Sequence, residues 1–106
     1  MVPTNRLKLL ALAPPLQEVR VGELCHASVQ VESTLPVEVT VEFPQDLLEL
    51  VNVTGTQRVP SGMHTVEWTL YAKTAHSDPV RLKVHARAGG LYQIAVLILR
   101  VADANS

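Results

Sequence analysis

The dipeptide Gly89-Gly90 stands between two runs whose apolar residues recur at every second position, Val80 to Ala88 and Leu91 to Val101. Paired glycines in that setting predict a hairpin closed by a two-residue primed turn, because its central positions take positive φ freely only without a Cβ. The turn then sets the register. Ala88 stands opposite Leu91, and every later pair follows by counting outward, since a slip of one residue turns each side chain to the other face. Val80, Leu82, Val84, Ala86 and Ala88 share one face with Leu91, Gln93, Ala95, Leu97 and Leu99, and this is the core face. The opposite face carries a basic row, Arg81, Lys83, His85 and Arg87, beside an apolar row, Tyr92, Ile94, Val96 and Ile98. Tyr92 lies opposite Arg87, where a guanidinium can stack on its ring.

The period of two persists along the chain, and no stretch sustains the 3.6-residue period of a helix. Leu7 to Ala13 makes a first run, stopped by Pro14-Pro15, and Leu16 to Val21 continues it to a turn at Gly22-Glu23. From Leu24 to Glu32, Cys25, Ala27, Val29 and Val31 alternate with His26, Ser28, Gln30 and Glu32. After a turn at Ser33-Thr34-Leu35-Pro36, the strand from Val37 to Phe43 points Val37, Val39, Val41 and Phe43 inward. Pro44-Gln45-Asp46 breaks it. Leu47 to Thr54 is a less regular strand, with or without one helical turn before it, and ends at Gly55. Pro60-Ser61-Gly62 turns the chain into Met63 to Lys73, where Val66, Trp68, Leu70 and Ala72 oppose Thr65, Glu67, Thr69 and Tyr71. Trp68 is therefore a core residue.

Seven or eight strands, with turn signals about every 8 to 12 residues, predict an all-β, immunoglobulin-like antiparallel β-sandwich. A length of 106 residues suits a single domain over 1–106, with core strands over about 7–101. In that topology the strand from Val37 to Phe43 lies on the far side of the basic row. Glu38 and Glu42 then stand next to Arg81, Lys83 and Arg87.

Composition excludes several classes of function. Nine basic against ten acidic residues give a net charge of -1, too weak a field to steer the chain onto nucleic acid. No apolar run reaches the roughly 18 to 20 residues of a membrane-spanning helix, so no membrane insertion is expected. Aromatic residues at 4% are scarce for surfaces that stack sugars or bases. The single cysteine, Cys25, can form no intrachain disulfide, which fits a reducing compartment such as the cytoplasm or a fold that needs no staple. The first residues resemble a signal peptide slightly, but the apolar stretch is short, is interrupted by Lys8, and also reads as a strand. Asn52-Val53-Thr54 is a glycosylation sequon, relevant only to a secreted chain.

Catalytic and metal-binding arrangements are not found. His26, His64, His76 and His85 have no partner at metal-ligand spacing, and Cys25 and His26 point to opposite faces of one strand. Cys25 reads as a small buried hydrophobe. Asp46, Asp78 and Asp103 lie in separate loops and do not form a calcium loop. Glu38 and Glu42 project from a flat sheet face rather than into a cleft, and Gly89-Gly90 is followed by no helix that would cradle phosphate. No cofactor and no enzymatic activity are expected.

The segment Val19-Arg20-Val21-Gly22-Glu23, followed by alternating Ala27, Val29 and Val31, resembles the opening strands of immunoglobulin-like modules in large multidomain proteins. Ser33-Thr34-Leu35-Pro36-Val37-Glu38-Val39 and Val59-Pro60-Ser61-Gly62-Met63-His64-Thr65-Val66-Glu67-Trp68 look most like the C-terminal β-sandwich segments of the vesicle-tethering TRAPP subunits. They are also similar to bacterial adhesion-type sandwiches. The likeness spans residues 16 to 72. It departs from antibody domains in lacking paired cysteines, in the placement of Trp68 and in having no tyrosine corner before Val80. The resemblance implies a module without catalytic residues, such as part of a membrane-trafficking tether.

The expected function is a non-enzymatic structural or protein-interaction module. Its contact surface would be Arg81, Lys83, His85, Arg87, Tyr92, Ile94, Val96 and Ile98, facing a neighbouring domain, a protein partner or a second copy of the chain. The alternative is an extracellular ligand- or carbohydrate-binding sandwich using Trp68, Tyr71 and Tyr92 as its platform.

Overall fold

The computed structural model describes residues 4–12, 16–51 and 54–103. Nine strands run through them: β1 (Leu7–Ala11), β2 (Leu16–Arg20), β3 (Leu24–Ser33), β4 (Val37–Glu42), β5 (Leu48–Leu50), β6 (Thr56–Val59), β7 (Gly62–Ala72), β8 (Val80–Ala88) and β9 (Leu91–Ala102). One sheet has the order β1-β3-β7-β5 and the other β2-β9-β8-β4-β6. Pairing is antiparallel throughout except between β2 and β9, which run parallel.

Alternation does what the sequence dictates. β3 buries Cys25, Ala27, Val29 and Val31, β7 buries Val66, Trp68, Leu70 and Ala72, and β4 buries Val37, Val39 and Val41 against them. Each large apolar side chain so enclosed is stabilised by about 1.5–3 kcal/mol relative to exposure, which fixes which face of each strand turns inward. Trp68 is 0% exposed and stands opposite Ala27 in the β3–β7 register, a large side chain facing a small one. Its indole Nε1 meets no acceptor among the described residues.

Several sequence expectations need correction. The strand absent from the sequence reading, β6, is an edge strand with only a half-buried, half-exposed alternation, so its residues show no apolar period to read. β1 and β2 belong to different sheets instead of forming one continued strand. The stop at Pro14-Pro15 and the residues Asn52-Val53 of the sequon lie outside the described residues. The run from Leu47 contributes a strand of three residues, entered through one turn in which the Pro44 carbonyl accepts from the amides of Leu47 (3.2 Å) and Leu48 (3.1 Å). Phe43 lies just beyond β4 and is half-buried.

The hairpin register is the expected one, from Ala88↔Leu91 to Val80↔Leu99. Its turn differs in one respect. Gly89 has φ +58, whereas Gly90 is not in the left-handed region, the pattern of a type II′ rather than a type I′ turn. Both types leave the same two-residue loop and match the twist of the flanking strands, so the register survives the difference.

Candidate interface on the outer face of the β8–β9 hairpin

β8 and β9 place the eight predicted surface residues together on one solvent face. Tyr92, Ile94, Val96 and Ile98 are 49%, 47%, 44% and 37% exposed, so the apolar row stays open to water although the Arg87 guanidinium lies over the Tyr92 ring. Arg81, Lys83 and Arg87 are exposed beside it, and His85 is half-buried. The inward partners on β8, Val80, Leu82, Val84, Ala86 and Ala88, are all buried, as are Leu97 and Leu99 on β9. Gln93 is the exception on the inner face. It is exposed because β2 accompanies β9 only over Ile98–Ala102, leaving the stretch nearer the turn at the rim of the sandwich.

The acidic residues of β4 occupy the expected positions, Glu38↔Arg87 and Glu42↔Lys83. Their side-chain partners are different. Glu38 Oε2 lies 3.5 Å from Nε of Arg58, its register partner on β6, and Glu42 Oε2 lies 2.9 Å from Nε2 of His85. Arg87 instead leans over Tyr92, its guanidinium carbon 5.6 Å from the ring centroid. The face therefore runs in stripes: apolar on β9, basic on β8, acidic on β4, and Arg58 on β6.

His85 ties three strands. Its Nδ1 is hydrogen-bonded to the Tyr92 hydroxyl and its Nε2 to Glu42. A carboxylate only accepts, so the neutral tautomer that satisfies both bonds carries its proton on Nε2 and takes the phenol proton's bond at Nδ1. Linear spacing hides this cluster, since Tyr92 is 7 and Glu42 is 43 residues away. The register contains it: His85 is diagonal to Tyr92 through the Arg87 pair and diagonal to Glu42 through the Lys83 pair.

The aromatic residues of the ligand-platform alternative are not brought together. Trp68 is enclosed in the core, Tyr71 is exposed on β7 of the four-stranded sheet, and Tyr92 is exposed on the five-stranded sheet. Cys25 is buried, and burial pushes its thiol from an ordinary 9.0 up to about 11, the opposite of what a nucleophile requires. His26 points to the other side of β3 and contacts Thr69 Oγ1 at 3.3 Å.

Two facing sheets, with a parallel β2–β9 pairing at one edge, define an immunoglobulin-like β-sandwich. No family model matches the chain, and no curated protein sequence matches it. Solved structures do. The chain is similar to a chimeric titin Z1Z2 carrying an exogenous decorin peptide, with 16% identity, TM-score 0.57 and coverage of 95% of this chain and 99% of that one. It is similar to WR4, a C. elegans MSP family member, with 10% identity, TM-score 0.59 and coverage of 92% and 97%. The human CEP192 PapD-like domain 7, an ASH / PapD-like domain, matches at 9% identity and TM-score 0.52, over 97% of this chain and 89% of that one. At such identities the likeness carries the fold.

Proposed function

We propose that this chain is a single β-sandwich domain acting as a non-enzymatic protein-interaction module, with the outer face of the β8–β9 hairpin as its contact surface. The observation that carries the reading is the row Tyr92, Ile94, Val96 and Ile98, 37–49% exposed on a strand whose other face is anchored in the core by Leu97, Leu99 and Val101. Water-facing apolar rows of this kind are unfavourable unless covered, and the charged stripes beside them supply a polar rim of the sort that gives interfaces their specificity. The likeness to vesicle-tethering subunits rests on two sequence phrases, so the trafficking role is the narrower form of this reading.

Immobilised domain tests the reading with Arg81→Glu and Ile98→Lys as controls of matched melting temperature. A protein retained by the native domain and lost by both variants is the expected result. An identical retained set for all three would overturn the assignment of this surface.

A further inference from the structure

The four edges of the two sheets are not alike. β1 carries Lys8, β5 has three residues, and β6 has four, with Arg58 within and Pro60 just after. β2, which closes the fourth edge, carries Glu18 and Arg20 but covers β9 only from Ile98 to Ala102. Short length, charge and proline are the devices that blunt exposed edges. Leu91–Leu97 has none of them: among the described residues it pairs only with β8, and its sequence Leu-Tyr-Gln-Ile-Ala-Val-Leu contains no charge, proline or glycine.

The backbone polarity of this edge follows from the turn. In a two-residue hairpin the closing pair, here Ala88↔Leu91, exchanges both hydrogen bonds, so Leu91, Gln93, Ala95 and Leu97 direct their amides and carbonyls toward β8. Tyr92, Ile94 and Val96 direct theirs outward. The same parity holds further along, where the Ala102 carbonyl accepts from the Val21 amide on the β2 side at 3.0 Å.

We infer that a second copy of this chain occupies that edge: β9 pairs antiparallel with β9 of the other copy about a two-fold axis at Ile94, joining two five-stranded sheets into one of ten strands. This rests on the apolar β9 row of the contact surface proposed above and names the occupant of its edge; the basic row of β8 lies outside the pairing. The pairing sets Tyr92 opposite Val96 and Ile94 opposite itself, so all three outward-directed residues fall in hydrogen-bonded pairs, and three pairs with two bonds each make six. On the outer face an aromatic meets a β-branched residue, the favourable cross-strand combination, and on the inner face Leu91 meets Leu97 and Gln93 meets Ala95. No charge opposes a like charge anywhere in the segment, which is what allows one copy to accept another. At about one hydrogen bond per 100–200 Å², six bonds correspond to roughly 600–1,200 Å² of interface, the small end of specific association.

Sedimentation velocity from about 1 to 500 µM, a range that spans weak association, measures the self-association. Ile94→Pro removes only an amide that faces away from β8, a position where an edge strand accepts proline, and is expected to weaken dimerisation at least tenfold. Ile94→Lys, which opposes two lysines on the axis, gives the same result and keeps the test intact should the proline variant melt early. Lys83→Glu, off the edge, leaves the dimer unchanged. Amide exchange supplies a second signature: Tyr92, Ile94 and Val96 become protected as concentration rises, while Gln93 and Ala95 do not change. A monomer at the highest concentration, or exchange without that alternation, overturns edge pairing and leaves the hairpin surface to be decided by partner capture. Loss of the dimer in Lys83→Glu with retention in Ile94→Pro overturns edge pairing too, while supporting face-to-face contact through the same surface.

Discussion

Glu42 and His85 are joined by a 2.9 Å contact across the β4–β8 ladder although neither is the other's register partner. The diagonal contact takes the Glu42 carboxylate past its register partner Lys83 and turns the second ring nitrogen of His85 toward Tyr92, so one imidazole spans from β4 to β9. Side chains this close to water contribute little: the cross-strand contacts are worth about 0.2–1 kcal/mol each. His85→Ala is therefore expected to lower unfolding stability by roughly 1 kcal/mol in urea titrations, with an unchanged slope. Tyr92→Phe should lose less than His85→Ala, because it retains the ring under Arg87. A loss of several kcal/mol for either would mean that the cluster supports the fold rather than the surface.

The turn makes an asymmetric prediction for two adjacent glycines. A Cβ on Gly89, at φ +58, would meet Leu35 Cδ1 at 3.0 Å, whereas one on Gly90 meets nothing within 4 Å. Gly89→Ala should destabilise by about 1–2 kcal/mol through backbone strain and the Leu35 contact, while Gly90→Ala should fall within about 0.5 kcal/mol of the native protein. Thermal melts of the two variants decide this. Equal losses would indicate that both residues need positive φ and that the turn is type I′.

The hairpin was legible in the sequence because its information is local: a glycine pair fixes the loop and alternation fixes the faces. Core positions such as Val84, Trp68 and Val39 followed for the same reason, each being one member of a period of two. β6 was not legible, since Thr56–Val59 has no buried face to impose a pattern on its residues. Nor was the partnership of His85, which depends on a residue 43 positions away and on side chains leaning diagonally. The choice of Arg58 rather than Arg87 as partner of Glu38 has the same origin, because β4 has a neighbour on each side and sequence shows only one of them.

Trp68 gives the most direct optical test of the inside-outside assignment. Its side chain is fully enclosed, so its emission should be blue-shifted in the folded protein, resist acrylamide and shift red on unfolding. Trp68→Ala should cost about 3–5 kcal/mol through lost contacts and the cavity beside Ala27. Trp68→Phe should cost distinctly less, since it also removes an indole N–H that has no acceptor among the described residues, a buried group that costs about 1–3 kcal/mol when unpaired. A quenchable, red-shifted native spectrum would refute the core placement.

Cys25 provides a prediction in the alkaline range. Burial raises its thiol from an ordinary 9.0 to about 11 in the folded chain, so the folded state holds the proton more tightly than the unfolded one. Below pH 9.0 both states are protonated and the thiol adds no pH dependence. Between 9.0 and about 11 the unfolded chain releases its proton first, so the unfolded state gains stability and the fold loses it, on the order of 2 kcal/mol by the upper end. Cys25→Ala isolates this effect: its unfolding free energy carries every other alkaline contribution but not this one. The native protein's advantage over Cys25→Ala should accordingly shrink from pH 9 to pH 11 in urea titrations, while the thiol stays unreactive toward a disulfide reagent until the chain unfolds. A difference that stays constant over this range would show that the thiol reaches solvent in the folded state and that β3 does not seal it from water.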